Sequence, residues 1–273
     1  MKYVKNISLF IAIGLSLASC NGYEKLLNSN DYEAKYQAAM RFYGENRFSG
    51  AIQLFENLTL HYRGREHAED IAWYYAQALM HEKDYYSAGY QFRRFASQFP
   101  YSDKAEEALF KSAYCKYITA PPYYLDQQRT REAIEDLESF AERWPRSVHI
   151  PDVNRYLDEM RAKLMRKDYQ IAYGYYFTEQ YHAAYESFGR FLDLYPEAEL
   201  REEATFYQLD ASFRYAINSS QAKQRERLQQ VLNDFEKYSA SFADSPRMAE
   251  AQQIYTKARA ALTDLESSKT ARQ

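Results

Sequence analysis

Three pairs of alanines, each twelve residues apart, constrain this chain more than any other feature: Ala39 and Ala51, Ala76 and Ala88, Ala172 and Ala184. Large apolar residues keep a fixed phase around each pair. One copy reads Ala39, Phe42, Phe48, Ala51, Phe55, Leu58. The second reads Ala76, Leu79, Tyr85, Ala88, Phe92, Phe95 and closes on Pro100; the fourth reads Ala172, Tyr175, Tyr181, Ala184, Phe188, Phe191 and closes on Pro196. Steps of three and four residues are helical. Twelve residues carry a chain from the middle of one helix, round a tight turn, to the middle of the next. Alanine suits both places, because helix axes approach closely only where side chains are small. Two more copies are stretched: Ala113 to Ala133 and Ala211 to Val231 each span twenty residues, placing eight extra residues between the helices. No segment alternates apolar and polar residues as a strand would. Pro100, Pro145 and Pro196 punctuate the pattern rather than interrupt it.

The phrase small–large–alanine–aromatic–proline resembles the tetratricopeptide repeat. That resemblance implies an all-α fold, a right-handed superhelix of five helix hairpins plus a C-terminal capping helix. The expected boundaries are repeats over about 31–65, 66–101, 102–147, 165–197 and 198–245, a capping helix over 246–263, and a disordered polar tail over 266–273. Repeats stacked by nearest-neighbour packing share one continuous core, so 31–265 reads as a single solenoid. Expected helix starts are capping boxes at Asn30 with Glu33 and Asp103 with Glu106, and an N-cap at Ser245 before Pro246.

The N-terminus supplies the address. Lys2 and Lys5 precede an apolar run, Ile7 to Leu17, that is shorter than the about 20 residues a membrane-spanning helix needs. Leu17-Ala18-Ser19-Cys20 follows, resembling a bacterial lipoprotein signal. Residues 1–19 are expected to be removed, Cys20 to carry the lipid, and 20–30 to form the lipidated tether. One acyl chain binds a membrane only marginally, whereas several hold a protein there stably. Asn21 is not the aspartate that favours the inner membrane in enterobacterial lipoproteins. Gly22, Tyr23, Glu24 and Lys25 lack an acidic surface-export run. The expectation is an outer-membrane protein facing the periplasm.

Losing Lys2 and Lys5 moves the formal net charge from −3 to −5. Such an acidic balance argues against a nucleic-acid partner, which favours a basic patch. With Cys20 acylated, Cys115 has no disulfide partner and reads as a buried apolar residue. No nucleophile elbow, phosphate loop, HExxH motif or GxGxxG loop is present. The five histidines are scattered; His61 and His67 flank a basic turn and read as solvated polar residues rather than metal ligands. The chain is therefore expected to be no enzyme, with no metal and no cofactor beyond the covalent lipid.

A binding surface is legible instead. Stepping from the small residue of each first helix by −3, +1 and +4 traces one helix side. It carries Tyr36, Trp73, Phe110 and Tyr169; Tyr114 and Tyr173; Tyr43, Met80, Tyr117, Tyr176 and Tyr215. The candidate substrate-peptide groove comprises Tyr36, Tyr43, Trp73, Met80, Phe110, Tyr114 and Tyr117. Such rings either line a slot for an extended peptide or pack against neighbouring repeats; both readings stand at this point.

A lipoprotein signal joined to five such repeats, two carrying inserts, resembles the BamD-type family of outer-membrane β-barrel assembly lipoproteins. Tyr32–Tyr62, Ala68–Ser102 and Lys167–Pro196 carry the family's repeat wording. The resemblance implies docking on the periplasmic domains of a BamA-type barrel protein through the last two repeats. It also implies recruitment of unfolded outer-membrane proteins, through their C-terminal segments, by the first repeats. Arg201, opening the fifth copy, is the candidate contact with BamA. Other readings are a different periplasmic repeat adaptor, for instance in envelope or cell-division coordination, and a SusD-like glycan-binding lipoprotein.

Overall fold

Every copy of the repeat folds as two helices because its two small residues let their backbones meet. The computed structural model describes residues 22–270. In it Ala39, Ala51, Ala76, Ala88, Ala133, Ala172, Ala184, Ala211 and Val231 are completely buried and Ala113 nearly so. The described residues are all-α: α1 over 22–27, then α2 (Tyr32–Gly44), α3 (Phe48–His61), α4 (Ala68–His81), α5 (Tyr85–Gln98), α6 (Ala105–Thr119), α7 (Gln128–Arg143), α8 (Ile150–Phe177), α9 (Tyr181–Leu194), α10 (Arg201–Ile217), α11 (Gln221–Ser241) and α12 (Met248–Thr270). Sequential helices pair as hairpins, α2 with α3, α4 with α5, α6 with α7 and α10 with α11, and Tyr169 in the second half of α8 packs on Phe188 and Phe191 of α9. The described residues group into two compact units, one holding 22–121 and Asp126–Met160, the other Pro122–Leu125 and 161–270. The sequence pattern expects one continuous solenoid over 31–265.

In copies one, two and four the turn inside the hairpin has the same form. Asn46, Lys83 and Glu179 adopt left-handed backbone, with φ of 59°, 62° and 61°. The following N–H groups, of Arg47, Asp84 and Gln180, reach back to the carbonyls of Phe42, Leu79 and Tyr175 at 2.8, 3.0 and 2.9 Å. This is the Schellman closure, which satisfies the last orphan carbonyls of the first helix. The second helices end where the sequence marks them. Phe99, Trp144 and Tyr195, each before a proline, have ψ of 60°, 65° and 65°, because proline drives its predecessor out of the helical region.

Several expectations are corrected. The expected capping boxes do not form: Asp31, not Asn30, caps α2 by accepting from the Ala34 N–H, and α6 starts from Lys104 without a side-chain cap. A serine turn replaces the box. Ser102, Ser147 and Ser245 each accept, on Oγ, the N–H two residues on, of Lys104, His149 and Arg247, at 3.1, 3.2 and 3.0 Å. Residues 148–164, unassigned from sequence, contain the first half of the 28-residue α8. There Val153, Tyr156 and Leu157 pack with Ala113, Leu137 and Phe140, closing the core of the first unit. The two inserts differ. In copy three the extra residues form the loop 120–127, whereas in copy five they lengthen helices, leaving only 218–220 between α10 and α11. α12 continues to Thr270, past the expected end at 263 and into the stretch expected to be disordered.

Candidate functional site

The candidate groove residues lie on the first helix of each repeat, and the structure divides them by depth. The −3 positions point into the packing. Tyr36 is 8% exposed and Trp73 7%. Trp73 meets Phe92 edge-on at 5.7 Å and Phe95 at 5.3 Å, inside the core of the second repeat. Phe110 lies against Phe140 at 5.8 Å. In the second unit Tyr169 is packed the same way, on Phe188 and Phe191, and burial raises its hydroxyl pKa.

A periodic relationship that the sequence reading missed covers these rings. The residue opening each first helix closes over the −3 ring of the preceding first helix. His67, before α4, stacks on Tyr36 at 4.1 Å. Lys104, before α6, holds its ammonium 5.9 Å from the Trp73 ring centre. His149, before α8, stacks on Phe110 at 3.9 Å and 7°. Leu200, before α10, packs in the cluster of Tyr169. The separation is 31 residues in three cases and 39 across the eight-residue insert of copy three. His67 and His149 are therefore ring-stacked covers. His61 likewise stacks on Tyr32 at 3.5 Å, His81 on Phe48 at 4.3 Å, and His182 lies 4.7 Å from Tyr215. All five histidines sit on aromatic rings, which corrects the reading of His61 and His67 as simply solvated.

In copy three the remaining rings are also covered. Tyr114 and Tyr117 approach Tyr156 of α8 at 5.6 and 4.1 Å. Tyr117 donates its hydroxyl proton to Glu159 at 2.5 Å. That bond first, then burial, pushes the phenol up to about 12. Phe110, Tyr114 and Tyr117 thus form one stack with α8.

Copies one and two keep a more accessible face. Tyr43 and Met80 are half-buried. Tyr43 touches Tyr74 at 4.9 Å, Phe48 at 5.5 Å and His81 at 6.1 Å, and the His81 side is exposed. One turn before Met80 on α4, Gln77 accepts from Lys111 at 3.0 Å, and Lys111 pairs with Glu107 at 2.9 Å. The surface is apolar and aromatic with a hydrogen-bonding rim, the composition of a protein-binding patch. In the second unit the matching positions carry a denser polar network: Tyr176 donates to Asp210, which also accepts from Arg214 Nε at 2.6 Å, and Arg227 lies 3.8 Å over Tyr215. Arg201 is half-buried and donates to the Pro196 carbonyl at 3.1 Å, bracing the turn before α10.

Among the described residues no cluster of three or more His, Cys, Asp or Glu side chains is arranged to hold a metal ion. Cys115 is buried, and burial pushes its thiol up to about 12, which suppresses the reactive thiolate. No described helix is long and apolar enough to cross a membrane. Cys20 lies outside the described residues.

Comparison with known proteins adds a family. A family model described as YfiO, outer membrane lipoprotein, matches residues 28–173. No curated protein matches the chain significantly. Among solved structures, the crystal structure of nearly identical TPR-like repeats from a Podosopora anserina kinesin light chain is similar at 13% identity. It covers 78% of this chain and 96% of its own, with a TM-score of 0.31. At that level it adds nothing to the fold described above.

Proposed function

Because the chain belongs to the YfiO family of outer membrane lipoproteins, the BamD-type family, we propose that it is a scaffold subunit of the machine that assembles β-barrel proteins in the outer membrane. Cys20 carries the lipid, and the helical repeats face the periplasm. The protein works by binding and performs no chemistry of its own.

One observation carries this reading: the family match over more than half of the chain begins at residue 28, only a few residues after the lipoprotein signal ending at Cys20. The half-buried aromatic face of the first two repeats supports a role for it in holding extended segments of unfolded barrel proteins. Their C-terminal stretches are rich in aromatic side chains, and rings of Tyr43, Tyr74 and His81 with the thioether of Met80 suit such partners. The deeper candidates, Tyr36 and Trp73, would act by shaping that face from below. The stack of Phe110, Tyr114 and Tyr117 would continue it at its edge. The last two repeats, around Arg201, are assigned to the periplasmic domains of a BamA-type barrel protein; this assignment rests on the resemblance alone, because the family match ends at residue 173.

The test is a photo-crosslinking amino acid placed at Met80 in the lipidated protein. Adducts with the C-terminal segment of a newly exported barrel protein are expected. Adducts absent at Met80 but present at an exposed position on the opposite helix, such as Tyr90, would overturn the assignment of this face.

A further inference from the structure

The chain linking the lipid to the first repeat is short and docked. α1 presents Tyr23, Leu26 and Leu27 on one side, and all three pack on the cluster formed by α2 and α3. The Tyr23 ring stacks on Phe42 at 5.6 Å and 26°. Its hydroxyl lies 3.0 Å from the Gly50 carbonyl oxygen and 3.1 Å from Gln53 Oε1, both on α3. Gly50 is what permits this approach: a Cβ there would stand 2.8 Å from the Phe42 ring that Tyr23 covers.

Covalent reach then fixes where the lipid can be. Cys20 and Tyr23 are three residues apart, at most about 10–11 Å of extended chain. A free tether over residues 20–30 would instead extend up to about 35 Å. We propose that α1 is a strap that holds the first turns of α3, around Ser49 and Gln53, against the lipid headgroups of the membrane carrying the Cys20 anchor. The partner of this surface is the headgroup layer. The strap sets which side of the first repeat faces the membrane, and so keeps the Tyr43 and Met80 face at a defined distance from it. This inference rests on the lipid-anchor reading above.

The test uses the full lipidated protein in vesicles of phosphatidylethanolamine and phosphatidylglycerol containing nitroxide-headgroup lipid. A fluorophore is placed on Ser49→Cys, at the start of α3, or on Ser139→Cys, exposed on α7 of the same unit; Cys115 is buried and escapes labelling. The expected result is at least about twofold stronger quenching at position 49 than at 139. A flexible Gly-Ser insert of about fifteen residues between Asn21 and Gly22 adds roughly 20 Å of reach and should abolish the difference. Tyr23→Ala should do the same, with the helical circular dichroism unchanged. Equal quenching at the two positions in the unmodified chain, or a difference that survives the insert, overturns the strap while leaving the anchor intact. Failure of the protein to float with vesicles overturns the anchor itself, and the strap with it.

Discussion

The imidazole of His67 lies 4.1 Å from the ring of Tyr36 at an interplanar angle of 18°, although one opens α4 and the other sits in the second turn of α2. The relation recurs between His149 and Phe110, so it belongs to the repeat and not to one site. In these two places it adds a stacked ring between successive first-helix positions, where repeat proteins derive their interface stability. A double-mutant cycle of Phe110→Leu and His149→Ala should give a coupling of about 0.5–1.5 kcal/mol, the usual range for stacked rings, read by urea denaturation. Additive effects would mean that the stack contributes nothing.

Depth separates folding from binding among the groove candidates. Trp73→Ala removes a ring from the second repeat's core and should cost about 3–5 kcal/mol. Met80→Ala and His81→Ala remove less buried groups and should leave thermal unfolding within a few degrees of the parent. They should nevertheless weaken binding of a barrel-protein C-terminal peptide several-fold by fluorescence anisotropy. Unchanged peptide binding in both variants would remove this face from the account.

Glu202 clasps the last helix to the stack. It accepts from Ser245 Oγ at 2.6 Å, from the Tyr238 hydroxyl, and from Arg247 Nη1 at 2.6 Å. Burial alone would raise its pKa, but these hydrogen bonds and the Arg247 charge outweigh burial and lower it. A carboxyl depressed on folding stabilises above its unfolded value of about 4.3. That stability is lost as pH falls through the lower folded value. Glu202→Gln should therefore cost about 1–2 kcal/mol at pH 7, with the cost shrinking below about pH 4. Guanidinium titrations at pH 7 and pH 3.5 measure the difference; a cost independent of pH would contradict the assignment.

Asp234 behaves oppositely. It is 7% exposed; Oδ1 accepts from Gln230 at 2.8 Å, and Oδ2 makes no hydrogen bond. Burial raises its pKa. The native state thus takes up a proton at a higher pH than the unfolded chain, so the group's favourable contribution fades as pH rises through the folded value. At neutral pH the carboxylate is a burden. Asp234→Asn should stabilise the protein by about 1 kcal/mol at pH 7, and the gain should vanish below about pH 4. A lower melting temperature for the variant at pH 7 would refute this.

Much of the fold was legible because the small residues of the hairpin crossings have no other good reason to recur at twelve. All ten reading positions, Ala39 to Val231, are buried. Pro100, Pro145 and Pro196 end the second helices for a local reason, the restriction on the preceding residue. The misses are tertiary. The first half of α8 has no repeat wording; its place comes from the exposed aromatic side of α6, which Tyr156 covers. The insert of copy five gives the same spacing as that of copy three, yet Gln221–Leu228 extends a helix while Ala120–Gln127, with Pro121 and Pro122, cannot. The candidate groove was traced by helical phase alone, and helical phase does not report depth. That Trp73 is core and Tyr43 partly open depends on the neighbouring repeat.

The most direct test of the central claim is affinity capture of the lipidated protein from detergent-solubilised outer membranes, with bound proteins identified by mass spectrometry. The account predicts stoichiometric recovery of a barrel protein with periplasmic domains of the BamA type, lost when residues 198–270 are deleted from the membrane-bound chain. Recovery of peptidoglycan-synthesis or glycan-uptake proteins in its place, with the barrel protein left behind, would contradict it.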